Sequence, residues 1–312
     1  MSDESKPLTG KIAVVVGATR ASGRGIAVEL GAAGATVYCT GRSVRGGASP
    51  SGAPETIDET SDMVASAGVV GIPVQVDHSI PAEVEALFER VRLEQNGRLD
   101  VLVNVIFSGG DPRELASWAE GLPLWETDLQ GGLSLLERSV HTHIISNRFG
   151  LPLMAAHNAG LVVEVGDGIS YRYRGENHGM FFYSLAKISL IHMAEALAAD
   201  FRHKDLTGLT AVALTPGYLR AEAMLRGWKL TEEEWQHQAT AKEIAEGRPA
   251  KSDGGCESPR YIGRAVVALA TDPNVHSKSG MALSTGDLMR EYGFTDIDGR
   301  QPYWDWNATH SS

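Results

Sequence analysis

A tyrosine and a lysine four residues apart carry the clearest chemical signal in this sequence. Tyr183 and Lys187 stand in the segment YSLAK, and four residues is about one helical turn, so the two side chains would share a face. An ammonium beside a phenol favours the phenolate and lowers the tyrosine pKa from its reference value of about 10. Such a phenol can act as a general acid or base on a carbonyl/alcohol pair. Because this spacing also arises by chance, it needs support from elsewhere in the chain.

A glycine-containing loop near the N-terminus gives that support. The segment VVVGATRASGRG at 14–25 joins a short apolar run to an amphipathic one. Free N–H groups and the dipole at a helix N-terminus both attract an anion, and glycines let a diphosphate approach closely. A plain strand–helix turn is the alternative, but the position after the first predicted strand favours a nucleotide. The residues expected to hold the diphosphate are Gly17, Thr19, Arg20, Ala21, Ser22 and Gly23.

The residues after the second predicted strand indicate which dinucleotide would bind. Units that prefer NAD carry an acid there for the ribose 2′-hydroxyl, whereas an arginine accommodates a 2′-phosphate. Here the segment reads Thr40-Gly41-Arg42-Ser43 without an acid, and Arg20 lies in the glycine loop. Two arginines that converge on one phosphate form charge-assisted contacts. The sequence therefore predicts NADP(H), with Arg20, Arg42 and Ser43 near the phosphate, although either arginine could instead be a solvated surface cation.

The elements that must position these residues follow an alternating pattern. Short apolar runs alternate with longer amphipathic stretches, which is typical of a parallel sheet covered by helices. We predict strands at 11–16, 35–39, 70–76, 100–104, 160–165, 208–214 and 280–284, and helices at 23–33, 55–67, 81–95, 132–157, 181–203 and 258–271. The predicted fold over 1–312 is one α/β domain of the doubly wound Rossmann type, with a seven-stranded parallel sheet and helical lid inserts.

Two segments and the tail interrupt this alternation. Segments 107–131 and 217–256 both follow carboxyl ends of strands, where ligands bind in open α/β sheets, so we expect them to be lids or walls of a substrate pocket. Glu222 stands where the second segment begins and could order it, although a structural role is favoured. The aromatic tail 286–312 is expected to pack on the body or on a partner subunit. Four tryptophans could line the pocket or pack the lid on the body: Trp118, Trp125, Trp228 and Trp235.

Composition excludes several classes of protein. The chain has 312 residues, a net charge of −11 and a pI of about 5.4, which argues against a nucleic-acid or anionic-membrane surface. Two cysteines, Cys39 and Cys256, are too few for a disulfide framework and are expected to be plain thiols. The polar N-terminal segment does not resemble a signal peptide, and no run approaches about 18 apolar residues. We therefore expect a cytoplasmic protein that spans no membrane.

The motifs together resemble the short-chain dehydrogenase/reductase superfamily over about residues 8–285. In the order of that family stand the glycine loop, Asp77 in VQVDHS, LDVLVN ending at Asn104, YSLAK, and Thr215-Pro216-Gly217. The segments GRLDVLVN, ALATDPN and SGMALSTGDLMREYGFTDIDGR are similar to the subgroup typified by dehydrogenase/reductase family member 1. The order of the motifs is highly specific for the fold.

The resemblance implies a role for each matching residue. Tyr183 would donate a proton to a carbonyl oxygen while hydride arrives from the nicotinamide, and Lys187 would tune the tyrosine and hold the nicotinamide ribose. Asp77 would meet the adenine amine, Asn104 the adenosine ribose, and the backbone after Pro216-Gly217 the carboxamide. The neighbours expected to contact the cofactor with them are His78, Val105, Tyr218 and Leu219. The family also implies a homodimer or homotetramer built on the helices at 132–157 and 181–203.

The sequence departs from the family at the catalytic positions. The family serine lies about 13 residues before the tyrosine, which gives Ser170, but counting from the end of the fifth strand gives Gly166 or Asp167. The strand end is the better guide, because backbone geometry determines where the site lies. An ionised Asp167 would repel a developing alkoxide, whereas a protonated one could donate a hydrogen bond.

Three other departures concern the loop and the helix after the fourth strand. The middle glycine of the loop is Ala21, which is tolerable if its φ is negative, and the family's Asn-Asn-Ala-Gly has become Asn104-Val105-Ile106-Phe107. The family asparagine that holds a relay water maps to Ser139, which could still hold one. The pair His141 and His143 could suggest a metal, but residues i and i+2 of a helix point apart, so no metal is predicted.

We interpret the chain as an NADP(H)-dependent oxidoreductase that reduces a small-molecule carbonyl compound, or oxidises a secondary alcohol, with Tyr183 as acid/base. The alternative is an NADP(H)-binding protein with little or no turnover that acts as a sensor or interaction module. The intact Tyr183 and Lys187 pair favours the enzyme, whereas the lost serine and asparagine favour the alternative.

Overall fold

The computed structural model describes residues 6–49, 51–108, 113–114, 121–171, 180–235, 256–304 and 306. Its strands are β1 Ile12–Val16, β2 Thr36–Gly41, β3 Gly71–Gln75, β4 Val101–Asn104, β5 Gly160–Val165, β6 Leu209–Thr215, β7 Tyr218–Leu219, β8 Cys256–Glu257 and β9 Ala282–Ser284. Seven of them form a sheet in the order β3-β2-β1-β4-β5-β6-β9, and every pairing is parallel. The predicted seven-stranded parallel sheet is therefore confirmed.

Helices cover both faces of this sheet. They are α1 Ala21–Ala32, α2 Ile57–Ala65, α3 Pro81–Glu94, α4 Leu129–Leu136, α5 Thr142–His157, α6 Phe181–His203, α7 Glu222–Trp228, α8 Pro259–Thr271 and α9 Thr285–Tyr292. Alternate residues of β1 show the two layers: Ala13 and Val15 pack with α1, α2 and α8, whereas Val14 packs with α3, α5 and α6. Because both faces are buried, the strands are apolar along almost their whole length.

The helix predicted at 132–157 is present and runs without interruption over 129–157. It contains a π-helical turn at Glu137–His141 between α4 and α5, and such turns often mark functional sites. The segment predicted at 217–256 is closed at its base by a second, two-stranded sheet, in which Tyr218 pairs with Cys256 and Leu219 with Glu257. Of its interior, residues 236–255 lie outside the described part of the chain.

The helix α6 is apolar enough to resemble a membrane span. It is the one helix among the described residues that passes a test of length and hydropathy, with a mean hydropathy of 1.2 over 18 residues. About 44% of that window is buried inside the protein, and the helix packs against β5 and β6. The test scores mean hydropathy rather than an uninterrupted apolar run, and a core helix that covers a sheet satisfies it.

The order of the strands determines where a ligand can bind. The chain runs outward from β1 to β2 and β3 and then returns to β4 on the other side of β1, which creates a crevice at the carboxyl ends of β1 and β4. The register places Asn104 beside Val16 on one side and Glu164 on the other. The ends of β1, β4, β5 and β6 therefore meet at one edge, and the loops that follow them surround a common cavity.

Candidate active site

A cavity of about 660 Å³ opens at this edge of the sheet. It brings together residues predicted for the cofactor and residues predicted for catalysis. Those that line it are Gly17, Thr19, Arg20, Ala21, Ser22, Arg42, Ser43, Asp77, His78, Val105, Asp167, Tyr183, Lys187, Pro216, Gly217, Tyr218 and Leu219. The predicted residues Gly23, Asn104, Ser139 and Ser170 are not in this lining.

The glycine loop turns as tightly as its composition suggests. Gly17 has a φ of +93°, and a Cβ on Gly23 would lie 2.0 Å from the carbonyl oxygen of Gly17. Gly23 is thus needed for the first turn of α1 to pack on the loop, rather than for direct contact with a ligand. The loop leaves the backbone at the start of α1 facing the cavity, which is where an anion is stabilised.

The condition set for Ala21, a negative φ, is not met, because its φ is +49°. An L-residue in this left-handed region costs about 1–2 kcal/mol relative to ordinary backbone. The Ala21 N–H donates to Oε2 of Glu222 at 2.9 Å, and Oε1 of the same carboxylate lies 3.7 Å from Nη1 of Arg24. Glu222 therefore ties the beginning of α7 to the beginning of α1. It does more than order its own segment.

Three arginines and an aspartate occupy the outer end of the cavity. Nη1 of Arg20 donates to Oγ of Ser51 at 2.8 Å, and Nη1 of Arg42 lies 3.7 Å from Oδ2 of Asp77. Arg138, which the sequence did not suggest, donates to Oδ1 of Asp77 at 3.1 Å. Burial acts to raise the pKa of Asp77, but hydrogen bonds from Ser79 and the two arginine charges outweigh it and hold that pKa below its usual range. Asp77 is thus an ionised acceptor between two cations.

At the inner end of the cavity, Tyr183 and Lys187 lie in the first turns of α6, as the sequence predicts. The Tyr183 hydroxyl donates to Oδ2 of Asp167, two residues beyond the end of β5. Burial lowers the pKa of Lys187 to about 8, although the charge of Asp167 acts in the opposite direction. The structure thus brings a phenol, a carboxyl group and an ammonium together.

Phe107 connects the tyrosine and the lysine. Its ring lies edge-on to the ring of Tyr183, with centroids 5.2 Å apart and planes at 71°. The Nζ of Lys187 stands 4.1 Å from the Phe107 centroid, within the range of a cation–π contact. The family pattern has glycine at this position. The sequence therefore showed that Phe107 replaces a glycine, but it did not show that the ring contacts Tyr183 and Lys187.

Of the two serine candidates for catalysis, neither lines the cavity. Ser139 is buried in the π-helical turn, and its hydroxyl donates to the carbonyl oxygen of Leu135 at 2.5 Å. Ser170 lies three residues beyond Asp167, whose carboxyl oxygen accepts a hydrogen bond from Tyr183. The count from the strand end therefore leads to a hydrogen-bond partner of the tyrosine.

A buried polar cluster lies beneath the cavity, and it includes Asn104. The side-chain N–H₂ of Asn104 donates to Oδ1 of Asn147 and to Oε1 of Glu164, both at 3.0 Å. Glu164 also lies 2.6 Å from Nδ1 of His143, whose Nε2 lies 2.9 Å from the carbonyl oxygen of Ile106. Asn104 therefore faces this cluster rather than the predicted ribose site.

The proton count of this cluster follows from its partners. Both ring nitrogens of His143 face acceptors, a carboxyl oxygen and a carbonyl oxygen. A neutral imidazole has only one N–H, so a second proton must lie on the ring or on Glu164. The sequence could have singled out Glu164, since it is the one charged residue in the otherwise apolar run GLVVEV. Among the described residues, no group of three or more potential ligands could hold a metal ion.

A second buried cluster joins the segment after β7 to the C-terminal tail. Arg220, which is fully buried, donates to Glu232 at 2.8 Å, to Asp298 at 3.1 Å and to Asp296 at 3.2 Å. The guanidinium also lies 4.4 Å from the ring centroid of Trp235. Trp235 thus packs the segment after β7 on the body, whereas Trp125 is 83% exposed and is not in the lining of the cavity. Trp118 lies outside the described residues, as does the side chain of Trp228.

Glu257 stands behind the Pro216-Gly217 segment. Its Oε1 accepts a hydrogen bond from the N–H of Gly217 at 2.8 Å and another from the Thr285 hydroxyl at 2.5 Å. Within the described part of the chain, Oε2 is buried without a hydrogen-bond partner. Burial raises the pKa of Glu257 to about 8. The strand end that the family uses for the carboxamide is therefore held by a carboxyl group, which the sequence did not predict.

The comparisons with known proteins agree with this geometry. The family model described as short chain dehydrogenase matches residues 11–232. The chain is 34% identical over 301 residues to human dehydrogenase/reductase SDR family member 1, covering 94% of this chain and 85% of that protein. It is 25% identical over 274 residues to the 3-oxoacyl-[acyl-carrier-protein] reductase FabG of Escherichia coli, covering 88% and 98%.

Solved structures show the same fold. A short chain dehydrogenase of Mycobacterium thermoresistibile superposes with a TM-score of 0.73 at 19% identity, covering 96% of this chain and 95% of that one. A short chain dehydrogenase of Shigella flexneri, described as complexed with NADP, gives a TM-score of 0.65 at 16% identity, covering 90% and 99%.

Proposed function

The chain belongs to the short-chain dehydrogenase/reductase family and is an oxidoreductase of that family; from this premise we propose that it reduces a carbonyl compound with NADPH, using Tyr183 as the proton donor. One observation carries the proposal. Tyr183, Lys187, Arg20 and Arg42 come from separate parts of the chain and line one cavity. A dinucleotide held between the arginines and the lysine would place its reactive ring beside the tyrosine hydroxyl.

The residues present fit a dinucleotide phosphate. The glycine loop gives close approach at Gly17, where a Cβ would lie 2.8 Å from the side chain of Ile106. Arg20, Arg42 and Ser43 supply donors at the outer end, and Arg42 offers the fork geometry that matches a phosphate. NADP is bound by two structurally similar proteins according to their descriptions. For this chain the preference for NADP(H) rests on the arginines.

Each residue of the inner end has a distinct task. NADPH, when bound, supplies the hydride. Tyr183 holds the proton that the carbonyl oxygen requires, and Lys187 stabilises the phenolate that remains. The pKa of Lys187, lowered by burial to about 8, leaves most of the ammonium charged at neutral pH. Phe107 keeps the ammonium close to the phenol through its ring face.

Asp167 stands where the family has a serine, and it accepts a hydrogen bond from Tyr183 instead of donating one to the substrate. Its carboxylate accepts the hydrogen of the Tyr183 hydroxyl, so it orients the phenol before a substrate arrives. A substrate carbonyl must then compete with Asp167 for that proton. A carboxylate also provides no donor to a developing alkoxide, whereas loss of one such donor typically slows catalysis by about 10²–10³. We therefore expect slow turnover rather than none.

The first test is a titration of the purified protein with NADPH and with NADH, followed by a panel of ketones, aldehydes and quinones. The proposal expects tighter binding of NADPH and oxidation of NADPH by at least one carbonyl compound. NADH binding as tight as that of NADPH would contradict the roles of Arg20 and Arg42. Tight NADPH binding without turnover across the panel would support the second candidate below.

That second candidate is a cofactor-binding protein with little turnover, which acts as a sensor or interaction module. The Tyr183–Asp167 hydrogen bond favours it, because the catalytic proton is already engaged by a carboxylate. The lid would then respond to NADP(H) occupancy without chemistry, since Glu222 of the lid contacts the glycine loop. Limited proteolysis with and without NADPH would detect that response.

We also propose that a second copy of the chain covers the helices α4 and α6. Leu129 and Leu133 of α4 are 62% and 48% exposed, and Phe181 and Leu185 of the adjacent α6 are exposed beside them. Exposed apolar side chains in such a cluster usually mark an interface. Light scattering after gel filtration should show a homodimer or homotetramer that the Leu133→Lys substitution dissociates. A monomeric wild-type protein would contradict this proposal.

A further inference from the structure

Aromatic side chains form one wall of the cavity that contains Tyr183. Tyr218, Trp304 and Trp306 all line it. The rings of Tyr218 and Trp304 are nearly parallel, with centroids 6.4 Å apart and planes 26° apart. Trp306 meets Trp304 edge-on, with centroids 6.3 Å apart and planes at 62°. Because aromatic rings favour offset stacking and edge-to-face contacts with other rings, this wall complements a flat aromatic ligand.

The aromatic wall is held in place by the body of the protein. Asp296, shortly before the two tryptophans, accepts hydrogen bonds from Arg220 at 3.2 Å and from the Ser258 N–H at 2.8 Å. The Tyr261 hydroxyl donates to the carbonyl oxygen of Pro302 at 3.1 Å, and Trp306 is only 3% exposed. A pre-ordered surface loses little entropy when a ligand binds, so it can select for ligand shape.

The cavity is also aromatic beside Tyr183. Phe107 lies edge-on to Tyr183, and the adaptable side chains of Met180 and Met224 also line the cavity. Thioethers pack favourably on aromatic rings. A flat ring would therefore find further apolar, polarisable side chains in the cavity besides the aromatic wall.

We infer that the substrate class is planar aromatic carbonyl compounds, in which the ring lies on Trp304 and Tyr218 while the carbonyl oxygen faces the Tyr183 hydroxyl. This inference rests on the proposed reductase function and names its substrate. The carbonyl carbon accepts hydride from NADPH and the oxygen accepts a proton from Tyr183. The C=O π bond is lost, and one alcohol and one NADP⁺ form for each NADPH consumed. Tyr183 regains its proton from solvent.

The test uses two ketones with the same ten-carbon bicyclic skeleton. In 1-tetralone the ring beside the carbonyl is aromatic and flat, whereas in 1-decalone it is saturated and puckered. The measurement is the ratio of kcat/KM for 1-tetralone to kcat/KM for 1-decalone. In the variants Trp304→Leu and Tyr218→Leu this ratio should fall by about 2- to 10-fold, as expected for loss of one aromatic contact. Trp304→Phe should retain part of it.

The control is Trp125→Leu, because Trp125 is a highly exposed tryptophan outside the cavity lining, and this variant should leave the ratio unchanged. An unchanged ratio in both Trp304→Leu and Tyr218→Leu would overturn the inference while leaving a reductase intact. Calorimetric binding of both ketones to the NADPH-saturated protein separates the two proposals if no ketone is reduced. Tighter, Trp304-dependent binding of 1-tetralone would then support the inference although the reductase proposal fails, and equal binding of both ketones would overturn it.

Discussion

The outer, nucleotide end of the cavity and its inner, catalytic end are assembled by different means. The outer end uses Gly17, Arg20, Arg42 and Asp77, which lie within the first 77 residues, in adjacent strand–helix units. The inner end draws on Phe107, Asp167 and Tyr183 and on an aromatic wall from the tail at Trp304. The outer end departs from the family only at Ala21, whereas the inner end has replaced the serine, the asparagine and a loop glycine.

If the proposed function is correct, this difference predicts that cofactor binding and chemistry can be separated. The proposed cofactor contacts would depend on backbone shape and on cations that follow the strands directly. The proposed proton transfer would depend on side chains that meet only after the whole sheet and the tail have formed. Substitutions at the two ends should therefore affect different measurements.

The largest effect is expected from Tyr183→Phe. The phenylalanine keeps the ring contact with Phe107 but removes the hydroxyl that donates to Asp167. Loss of a general acid should lower kcat by about 10²–10⁴, whereas the Kd for NADPH should hardly change. Steady-state kinetics and a fluorescence titration measure the two quantities. Tyr171→Phe, at an exposed tyrosine outside the cavity lining, is the control. Normal turnover by the Tyr183→Phe protein would show that Tyr183 is not the proton donor and that the inner end does not carry the chemistry.

Asp167→Ser, also at the inner end of the cavity, should raise kcat rather than lower it. A serine hydroxyl can donate to a developing alkoxide and no longer holds the tyrosine proton as a carboxylate does. We expect kcat for carbonyl reduction to rise, by up to about 10² if one full donor is gained. Asp167→Ala is the matched variant, since it removes the carboxylate without adding a donor. If both variants are slower than wild type, the carboxyl group itself contributes to catalysis.

A smaller effect is expected from Arg42→Ala at the outer end. Hydrogen bonds to a charged group contribute about 1.5–3 kcal/mol, so the Kd for NADPH should rise by about 10- to 100-fold. The Kd for NADH and the kcat at saturating NADPH should change little. Arg45→Ala, at a neighbouring arginine that is 63% exposed and pairs with Asp62, provides the comparison. An equal loss of NADH affinity would show that Arg42 does not recognise a 2′-phosphate.

The smallest effect concerns stability. Burial raises the pKa of Glu257 from an ordinary value of 4.5 to about 8 in the folded protein. Between pH 4.5 and pH 8 the folded state therefore binds more protons than the unfolded state. The free energy of unfolding accordingly falls as the pH rises through this range. Glu257→Gln cannot ionise, yet it can still accept from Gly217 and Thr285.

The Glu257→Gln protein should accordingly show a flatter dependence of Tm on pH between pH 5 and pH 8 than wild type. Thermal unfolding followed by circular dichroism measures this. Glu291→Gln serves as the control, because the Glu291 side chain is 48% exposed and should leave the slope unchanged. A parallel pH dependence for Glu257→Gln and wild type would place an ionised carboxylate behind Gly217.

The fold was predictable because it depends on local patterns. Seven apolar runs, each ended by a turn signal, were enough to predict the parallel sheet with strand limits within about two residues. The Tyr183 and Lys187 pair was equally accessible, since both lie on one helix. The π-helical turn at Glu137–His141 could not be predicted, because such a turn depends on packing that hydrophobic periodicity does not record.

The contacts that sequence reasoning missed are long-range ones. Glu164 and His143 are 21 residues apart and meet only because β5 runs beside β4 and α5 covers it. Trp304 reaches the cavity because Arg220 binds the tail through Asp296, 76 residues away. Ala21 shows a different limit, because its positive φ is set by the loop and by Glu222 rather than by its own preference.

The hydrogen bond from Ala21 to Glu222 gives the protein an internal anion at the place where a diphosphate would bind. A carboxylate and a diphosphate cannot occupy the same donor, and their like charges repel. Cofactor entry would then be an exchange of anions, in which α7 leaves the glycine loop as the diphosphate arrives. Contact of α7 with the loop would lower the affinity for the dinucleotide by a certain factor. By thermodynamic reciprocity, the bound dinucleotide would weaken the contact of α7 with the loop by the same factor. On the proposed function, α7 and the cofactor would compete for one N–H group.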